Sequence, residues 1–275
     1  MNRRVVILAG PGPFTDRLAG VLAERGVRVD ALVVYEPEPE HEPRAPASPL
    51  QRLGGLALAP QRWVRSRVLP QVARAEPFGK IVLTGAVNGR AMRRDLRRLE
   101  PDVVVLSRCA RILEPEVLRI PHEGVVNVHP GLLPWVRGNT PVNHSLLRGV
   151  PLGATAFRVD PGIDTGAVLE RRLLALRGGE TRKELAKAIH MLWMEMTADL
   201  VARAAAGPLP PGTPQRDRFP LCRTLTDPAE RAAVDEALRR GAAKALFERW
   251  LPLCEPGTLS LPGHLDARFV PRPGG

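Results

Sequence analysis

Short apolar runs that alternate with helical patterns are the feature that most constrains the fold of this chain. Seven runs rich in Val, Ile and Leu are bounded by turn residues, and amphipathic patterns separate most of them. The predicted strands are residues 4–9, "VRVDALVVYE", "GKIVLTG", "PDVVVLS", "EGVVNVH", "GATAFRVD" and "GAVLERRLLAL". Strands that alternate with helices at this spacing predict an α/β fold with a Rossmann-like, doubly wound and mostly parallel sheet. In such sheets, ligands bind beyond the carboxyl ends of the strands.

Two of the helical patterns carry start signals. Thr15 and Asp16 are predicted to cap a helix after the first strand. Thr181 with Glu184 is a capping-box pattern that precedes the longest helical run. Residues 50–75 predict one or two further amphipathic helices, interrupted by a proline.

A change in composition after residue 207 predicts two parts. The stretch "GPLPPGTPQRDRFPLCRTLTDPAE" is a Pro-rich connection, and Thr226-Asp227-Pro228 predicts the start of a helix that runs to about Leu251. We therefore predict a main α/β domain over 1–207 and a Pro-rich connection with a small helical appendage over 208–275.

Composition narrows the class of protein. Of the 275 residues 44% are hydrophobic, which is ample for a globular core. The apolar run near the N-terminus stops at Gly10-Pro11, too early for an export signal, and no run approaches the ~18 apolar residues of a membrane span. Cys109, Cys222 and Cys254 have neither disulfide nor metal spacing. We therefore expect a soluble, cytoplasmic protein with no membrane partner.

The net charge of +11 favours anionic partners. Nucleic acid is one candidate, but the arginines are spread widely, and in "RAMRRDLRRLE" they lie beside acidic residues on a solvated helix face. A small anionic substrate would use the same field, and we favour it over nucleic acid. The Gly-Pro-Gly-Pro turn at 10–13 lacks the third glycine of a dinucleotide-binding motif, and its prolines remove backbone donors that a phosphate would need.

Polar side chains gather where the fifth strand ends. Asn127 and His129 alternate in "VVNVH" and therefore project to the same side. Asp160 and Asp164 follow in a Gly-rich loop between two strands. An amide donor, an imidazole and a carboxylate suit acyl transfer without an enzyme nucleophile, since no Ser or Cys stands in an elbow motif. The residue types alone also allow a structural histidine and aspartates that only form turns.

Two long motifs resemble a known family. "NVHPGLLPWVRG" resembles the Asn-x-His-Pro-Ser-Leu-Leu-Pro-x-x-Arg-Gly signature of the folate-dependent formyltransferases, and "DPGIDTGAVL" resembles their second signature, which holds the family's aspartate. Arg111-Ile112-Leu113 stands at the spacing where that family surrounds the pterin ring with backbone contacts. The resemblance runs from about residue 80 to 207, with weaker support from the first strand.

The resemblance implies a formyltransferase fold, with 1–207 as the catalytic domain and Asn127, His129 and Asp164 as catalytic residues. The formyl donor would be 10-formyltetrahydrofolate, and no metal is required. An acceptor amine would attack the formyl carbon, and Asn127 with protonated His129 would stabilise the tetrahedral oxyanion. Asp164 would hold His129 charged and help to relay the amine proton. The implied pterin pocket consists of Arg111, Ile112, Leu113, Val159, Asp160, Gly162, Ile163 and Asp164.

Departures from the family pattern bear on the acceptor. The turn at 10–13 does not match the Gly-Asn-Gly-Ser-Asn phosphate loop of the glycinamide ribonucleotide branch, and the residues after Gly207 look helical rather than like the C-terminal barrel of the methionyl-tRNA branch. A nucleotide-linked amino sugar or another small amine is therefore the expected acceptor. Gly131, where the family has Ser, is interpreted as a detail of the loop.

Other interpretations stay open. The basic charge keeps a methionyl-tRNA formyltransferase-like enzyme in view, and a non-catalytic folate-binding protein or a formyl-folate hydrolase could use the same scaffold. Trp135 is predicted to line the acceptor side as a stacking platform. His122 and His144 have no ligand spacing with His129, and we assign them surface or packing roles. A homodimer is also left open by the resemblance.

Overall fold

An eight-stranded sheet organises the part of the chain that the structure describes. The computed structural model describes residues 3–36, 77–109, 111–216, 219–263 and 265. The strands are β1 (Val5–Ala9), β2 (Val29–Val34), β3 (Phe78–Leu83), β4 (Val103–Ser107), β5 (Val125–His129), β6 (Gly153–Arg158), β7 (Val168–Leu173) and β8 (Ser260–Leu261). Their order is β3-β2-β1-β4-β5-β6-β7-β8. The first five are mutually parallel, and β6, β7 and β8 are antiparallel additions. The predicted α/β fold with a mostly parallel sheet is confirmed.

Helices connect the strands and cover the sheet. They are α1 (Pro13–Glu24), α2 (Arg90–Leu99), α3 (Pro115–Leu118), α4 (Pro141–Arg148), α5 (Arg182–Ala206), α6 (Pro228–Arg239) and α7 (Ala242–Trp250), the last followed by a 3₁₀ turn at Leu251–Leu253. In the described ranges, none of these helices combines the length and apolar character needed to cross a bilayer. The helices predicted over 50–75 lie outside the described residues.

Both faces of the sheet bury apolar side chains, which explains why the strands read as continuous apolar runs. In β1, Ile7 packs into a layer shared with Leu18 of α1 and Leu192 of α5. Leu8 points to the opposite face, into the layer that contains Met92 of α2. Successive strand residues alternate between faces, so each inner strand contributes to two cores.

The start of α1 differs from the prediction. The helix begins at Pro13, and Gly12, with φ +137°, is its N-cap. Thr15 therefore lies inside the first turn, where its hydroxyl donates to the Gly10 carbonyl at 2.6 Å. The prediction of a Thr15-Asp16 cap is wrong because proline, which has no N–H to satisfy, is well suited to the first helical position.

The start of α5 matches the prediction. Thr181 is the N-cap, and its hydroxyl accepts from the Glu184 N–H at 3.3 Å while the Glu184 carboxylate accepts from the Thr181 N–H at 2.8 Å. The predicted capping box is confirmed.

In its described residues, the region after residue 207 contains two helices where one was predicted. Asp227 caps α6 as predicted, its carboxylate accepting from the Ala229 N–H at 2.8 Å. However, α6 ends at Arg239, and the left-handed Gly241, with φ +71°, separates it from α7. The prediction of one helix to Leu251 is therefore wrong.

The same region also contributes to the main sheet, since β8 pairs with β7 through Leu261 opposite Arg171. The division of the chain at residue 207 stays a prediction.

Candidate active site

A cleft of about 700 Å³ opens at the carboxyl ends of β4 and β5. Its size is typical of a small-molecule site, and it lies beside the β1–β4 boundary where the strand order reverses. All ten residues predicted for the site line it: Arg111, Ile112, Leu113, Asn127, His129, Val159, Asp160, Gly162, Ile163 and Asp164. The structure thus brings together side chains from three separate parts of the sequence.

Asn127 offers an amide donor to this cleft. It lies opposite Phe157 in the β5–β6 ladder. Its Oδ1 accepts a hydrogen bond from the Val128 N–H at 2.9 Å. Because a backbone N–H can only donate, the amide oxygen must face it, and this fixes the orientation of the Asn127 amide. Among the described residues, no group accepts a hydrogen bond from Nδ2 of Asn127. This N–H₂ group is therefore available to a bound molecule.

His129 is nearly enclosed, with 6% of its surface exposed, and both ring nitrogens face acceptors. Nε2 lies 3.0 Å from the Val136 carbonyl oxygen, and Nδ1 lies 3.5 Å from Oδ2 of Asp164. Nε2 must carry hydrogen to satisfy the carbonyl. The ring is therefore oriented by two acceptors, one beside each nitrogen.

The two aspartates of the Gly-rich loop have different partners. Asp160 accepts from Thr165 Oγ1 at 2.6 Å and so stabilises the turn. Asp164, with φ +53°, instead turns its carboxylate towards His129 and accepts from the Gly138 N–H at 2.9 Å. Only the second aspartate is therefore positioned to act on the imidazole.

Gly131 makes room for the His129 contact. A Cβ at this position would lie 2.8 Å from Nε2 of His129 and 2.9 Å from the Val136 carbonyl oxygen. Real Cβ atoms are almost never this close to a neighbour. The interpretation of Gly131 as a detail of the loop is wrong, because its missing side chain permits the hydrogen bond between His129 and Val136.

Buried polar groups hold the loop that follows His129. The Thr155 hydroxyl donates to the Gly131 carbonyl at 2.8 Å and accepts from the Leu133 N–H at 3.0 Å. Nε of the buried Arg171 donates to the Leu133 carbonyl at 2.6 Å. Burial lowers the pKa of Arg171 to about 10, so its guanidinium remains charged at neutral pH.

Trp135 belongs to the core beneath this loop. It is 0% exposed, meets Trp250 edge-to-face at 5.2 Å, and lies under the Arg171 guanidinium at 5.3 Å. The prediction that Trp135 lines the acceptor side is therefore wrong. The tryptophan that lines the cleft is Trp193 of α5, which no motif indicated.

The predicted pterin side of the cleft has an apolar surface on a fixed backbone. Asn88 clamps this loop, donating to the Ile112 carbonyl at 2.9 Å and accepting from the Glu114 N–H at 2.9 Å. Ile112 is 55% exposed and Ile163 is 37% exposed. Large apolar side chains left open around a cleft are typical of a ligand site.

Leu221 to Thr224 form a wall that the sequence did not predict. The Asn139 N–H donates to the Cys222 carbonyl at 3.0 Å, and the Cys222 N–H donates to the Arg137 carbonyl at 2.7 Å. The segment therefore pairs with the loop whose Gly138 N–H reaches Asp164. No local motif marks it, because this pairing joins residues far apart in the sequence.

The remaining candidate groups have simple surroundings. Burial raises the pKa of the Cys109 thiol in the cleft, which disfavours a thiolate nucleophile. His122 lies at the surface with Nδ1 3.2 Å from Asp102, and Nε2 of His144 lies 2.7 Å from the Arg223 carbonyl oxygen. Within the described ranges, no three His, Cys, Asp or Glu side chains are grouped as metal ligands.

Comparison with known proteins shows which family a large segment of the chain resembles. Residues 66–199 match the family model described as formyl transferase. A methionyl-tRNA formyltransferase from Anaeromyxobacter sp. (strain K) is 31% identical over 183 residues, which cover 66% of this chain and 55% of that protein. One from Anaeromyxobacter dehalogenans (strain 2CP-C) is 34% identical over 148 residues, covering 54% and 47%. The chain spans about half the length of the curated relatives that it matches.

Solved structures share the fold. Glycinamide ribonucleotide transformylase 1 from Symbiobacterium toebii has a TM-score of 0.53 at 20% identity, covering 75% of this chain and 89% of that one. A sugar N-formyltransferase from Shewanella sp. has a TM-score of 0.51 at 17% identity, covering 84% and 86%. The matched segment, 134 of the 275 residues, supports the folate-dependent formyltransferase family, and the solved structures share its fold.

Proposed function

We propose that the protein is an N-formyltransferase that moves a formyl group from 10-formyltetrahydrofolate to a primary amine, with Asn127, His129 and Asp164 as its catalytic residues. The observation that carries the proposal is the convergence of an amide donor, an imidazole and a carboxylate in one cleft. The family match covers all three residues. The apolar surface of Ile112 and Ile163 suits a flat pterin ring.

In the proposed reaction, the amine nitrogen attacks the formyl carbon and a C–N bond forms. The formyl oxygen becomes an oxyanion, to which Nδ2 of Asn127 donates a hydrogen bond. Collapse of the tetrahedral intermediate breaks the bond from the formyl carbon to N10. The amine loses a proton and N10 gains one, so the products are the formamide and tetrahydrofolate. While the tetrahedral intermediate exists, the imidazolium of His129, stabilised by Asp164, compensates the negative charge of the oxyanion.

The environment of His129 adds a condition to this scheme. Nε2 is engaged by the Val136 carbonyl at 3.0 Å, so it can donate to the oxyanion only after that contact opens. Until then the ring acts on the intermediate through its charge. Asn127 therefore supplies the direct hydrogen bond at the start of the reaction.

We infer that the acceptor is a small amine, with a nucleotide-linked amino sugar as the first candidate. The acceptor side of the cleft is walled by Leu221 to Thr224 of the same chain and contains Trp193, which can stack on a flat ring. The sugar N-formyltransferase of the same fold is a precedent for such an acceptor. The basic charge of the chain favours an anionic one.

A second candidate acceptor is methionyl-tRNA. It is favoured by the curated relatives, which are methionyl-tRNA formyltransferases at 31–38% identity. The net charge of +11 would also attract RNA.

A single-turnover assay tests the proposal. Tetrahydrofolate release from 10-formyltetrahydrofolate is followed against amino-sugar nucleotides, small amines and methionyl-tRNA. We expect turnover with one acceptor, reduced at least about a hundredfold in His129→Ala and in Asp164→Asn. His122→Ala is the matched control, because it removes an exposed imidazole far from the cleft.

The alternatives give different results. If 10-formyltetrahydrofolate binds but no acceptor causes release of tetrahydrofolate, the protein would be a non-catalytic folate-binding protein. Formate release without an acceptor would indicate a hydrolase. Full turnover in Asp164→Asn would contradict the assigned role of the carboxylate.

A further inference from the structure

The loop that carries Asp164 is held by Gln215, a residue beyond the segment that matches the family model. Nε2 of Gln215 donates to the Asp164 carbonyl at 3.1 Å and to the Gly166 carbonyl at 2.7 Å. Both carbonyls belong to the loop that turns the Asp164 carboxylate towards His129. The family match ends at residue 199, so this contact comes from the predicted Pro-rich connection.

The orientation of the Gln215 amide follows from its two acceptors. Two carbonyl oxygens can be satisfied only by the N–H₂ side of the amide, because its other side is itself an acceptor. Oε1 of Gln215 is buried, and no group among the described residues donates a hydrogen bond to it. An unpaired buried acceptor is unfavourable, so the two N–H bonds are the part of this amide that favours its position.

A backbone bridge places Gln215 beside the loop. Thr213 and Val168 exchange hydrogen bonds in an antiparallel bridge: the Thr213 N–H donates at 2.7 Å and the Val168 N–H donates at 2.8 Å. In this register Gln215, two residues after Thr213, lies opposite Gly166, two residues before Val168. The reach of Gln215 to the loop is therefore set by backbone pairing.

Arg158, at the end of β6, holds the start of the same segment. Its guanidinium donates to the Leu209 carbonyl at 2.7 Å and to the Pro210 carbonyl at 2.9 Å. A further N–H of this guanidinium donates to the Glu123 carbonyl at 2.7 Å, in the turn before β5. The segment that presents Gln215 is thus tied to the sheet at two points, through Arg158 and through the bridge.

Asp164 depends on outside support because of its conformation and its contact distance. Its φ of +53° lies in the left-handed region, which is unfavourable for a residue with a side chain. Oδ2 of Asp164 lies 3.5 Å from Nδ1 of His129, which is the limit of a hydrogen bond. A small movement of the loop would therefore break the contact between the carboxylate and the imidazole. Gln215 restrains that movement, because it holds the carbonyl of the left-handed residue itself.

We propose that Gln215 is a positioning residue, which keeps the Asp164 carboxylate beside His129 by holding the Asp164 backbone. The proposal rests on the formyl-transfer function proposed above and extends its machinery to a residue after the family match. Gln215 is not among the described residues that line the cleft, so it acts on the reaction through Asp164.

Nitrogen-15 NMR of the His129 ring, in the full chain without substrates, tests the contact directly. Gln215→Met keeps most of the length of the side chain but removes both N–H bonds. We expect Gln215→Met to shift the Nδ1 resonance of His129 in the same direction as Asp164→Asn does. Arg216→Gln is the matched control: it changes the exposed neighbour of Gln215 and should leave the resonance in place. An unchanged Nδ1 resonance in Gln215→Met would overturn the proposal.

Steady-state formyl transfer, with the acceptor identified by the single-turnover assay, gives a second arm. Gln215→Met should lower kcat about tenfold and leave the KM for the acceptor within about threefold, because it displaces a catalytic group without touching the acceptor. In an Asp164→Asn background the same change should lower kcat less than about twofold, since the carboxylate that Gln215 positions is already gone.

The outcomes separate the positioning role from a structural one and from the function itself. Equal fold losses of kcat in both backgrounds would show that Gln215 acts independently of Asp164, and would overturn the proposal. Absence of transfer by the unmodified chain would contradict the proposed function, whereas the NMR arm would still decide the role of Gln215 because it does not depend on turnover.

Discussion

Substitution of Gly131 by Ala should test whether the His129 imidazole is positioned by the Val136 carbonyl. The added Cβ would meet Nε2 of His129 at 2.8 Å and the Val136 oxygen at 2.9 Å. Relief to ordinary contact requires a movement of roughly half an ångström by the ring or by the carbonyl. Overpacking of this kind costs about 1–3 kcal/mol of unfolding free energy. Misplacement of a catalytic group on this scale should lower kcat about ten- to a hundredfold.

The assay is steady-state formyl transfer, which gives kcat, beside thermal denaturation. Gly20→Ala is the matched control, because Gly20 lies within α1 and a methyl group there would have no heavy atom within 4 Å. This control change should stabilise the helix by about 0.5–1 kcal/mol. Unchanged kcat in Gly131→Ala, with the expected loss of stability, would refute the positioning argument. A Kd for tetrahydrofolate within about threefold of that of the unmodified chain would show that the predicted pterin side of the cleft is intact.

Three further predictions concern stability. Trp250→Ala removes the fully buried partner of Trp135 and should lower the unfolding free energy by about 3–5 kcal/mol, measured by chemical denaturation; a loss below about 1 kcal/mol would contradict the packing described. The Arg3 guanidinium donates a hydrogen bond to the Glu123 carboxylate and lowers its pKa. The pair therefore stabilises the fold fully at pH values above the pKa that Glu123 has in the unfolded chain. This stabilisation is lost as the pH falls through the lower pKa that Glu123 has in the folded protein. Glu123→Gln should therefore cost about 0.5–1.5 kcal/mol at pH 7, a difference that shrinks below about pH 4; a constant difference across a pH series would exclude this linkage. Arg171→Lys keeps the positive charge but loses the planar guanidinium whose Nε donates to the Leu133 carbonyl in the loop after His129. Melting curves should show that the free energy of unfolding falls by about 1–3 kcal/mol. An unchanged melting transition would indicate that lysine replaces the arginine fully.

Local signals in the sequence predicted the sheet and the common side of Asn127 and His129. β5 could be predicted because its apolar residues alternate with Asn127 and His129, and the alternation itself gives their common side. The capping box at Thr181 could be predicted because both partners lie within one helical turn. The placement of Asp164 depended on a motif, since nothing in its own loop distinguishes it from the turn-forming Asp160.

Non-local packing accounts for what the sequence did not reveal. Trp135 looks like a surface stacking residue in a Pro/Gly loop, and only Trp250 of α7, more than a hundred residues later, places it in a core. The break at Gly241 is a single left-handed residue inside a strong helical pattern. Gln215 lies 51 residues after Asp164, so their contact is a property of the folded chain alone.

The pairing of Cys222 with the 137–139 loop has a consequence for synthesis of the protein. Thr140 meets the Arg223 carbonyl across 83 residues of chain. At about 5–20 residues per second, the ribosome needs roughly 4–17 s to deliver the second partner after the first. During that interval the nascent sheet can form from β1 to β5, but the loop that presents Gly138 to Asp164 lacks its neighbour. The cleft should therefore become ordered after the central strands, and newly made chains should acquire activity later than they acquire their central sheet.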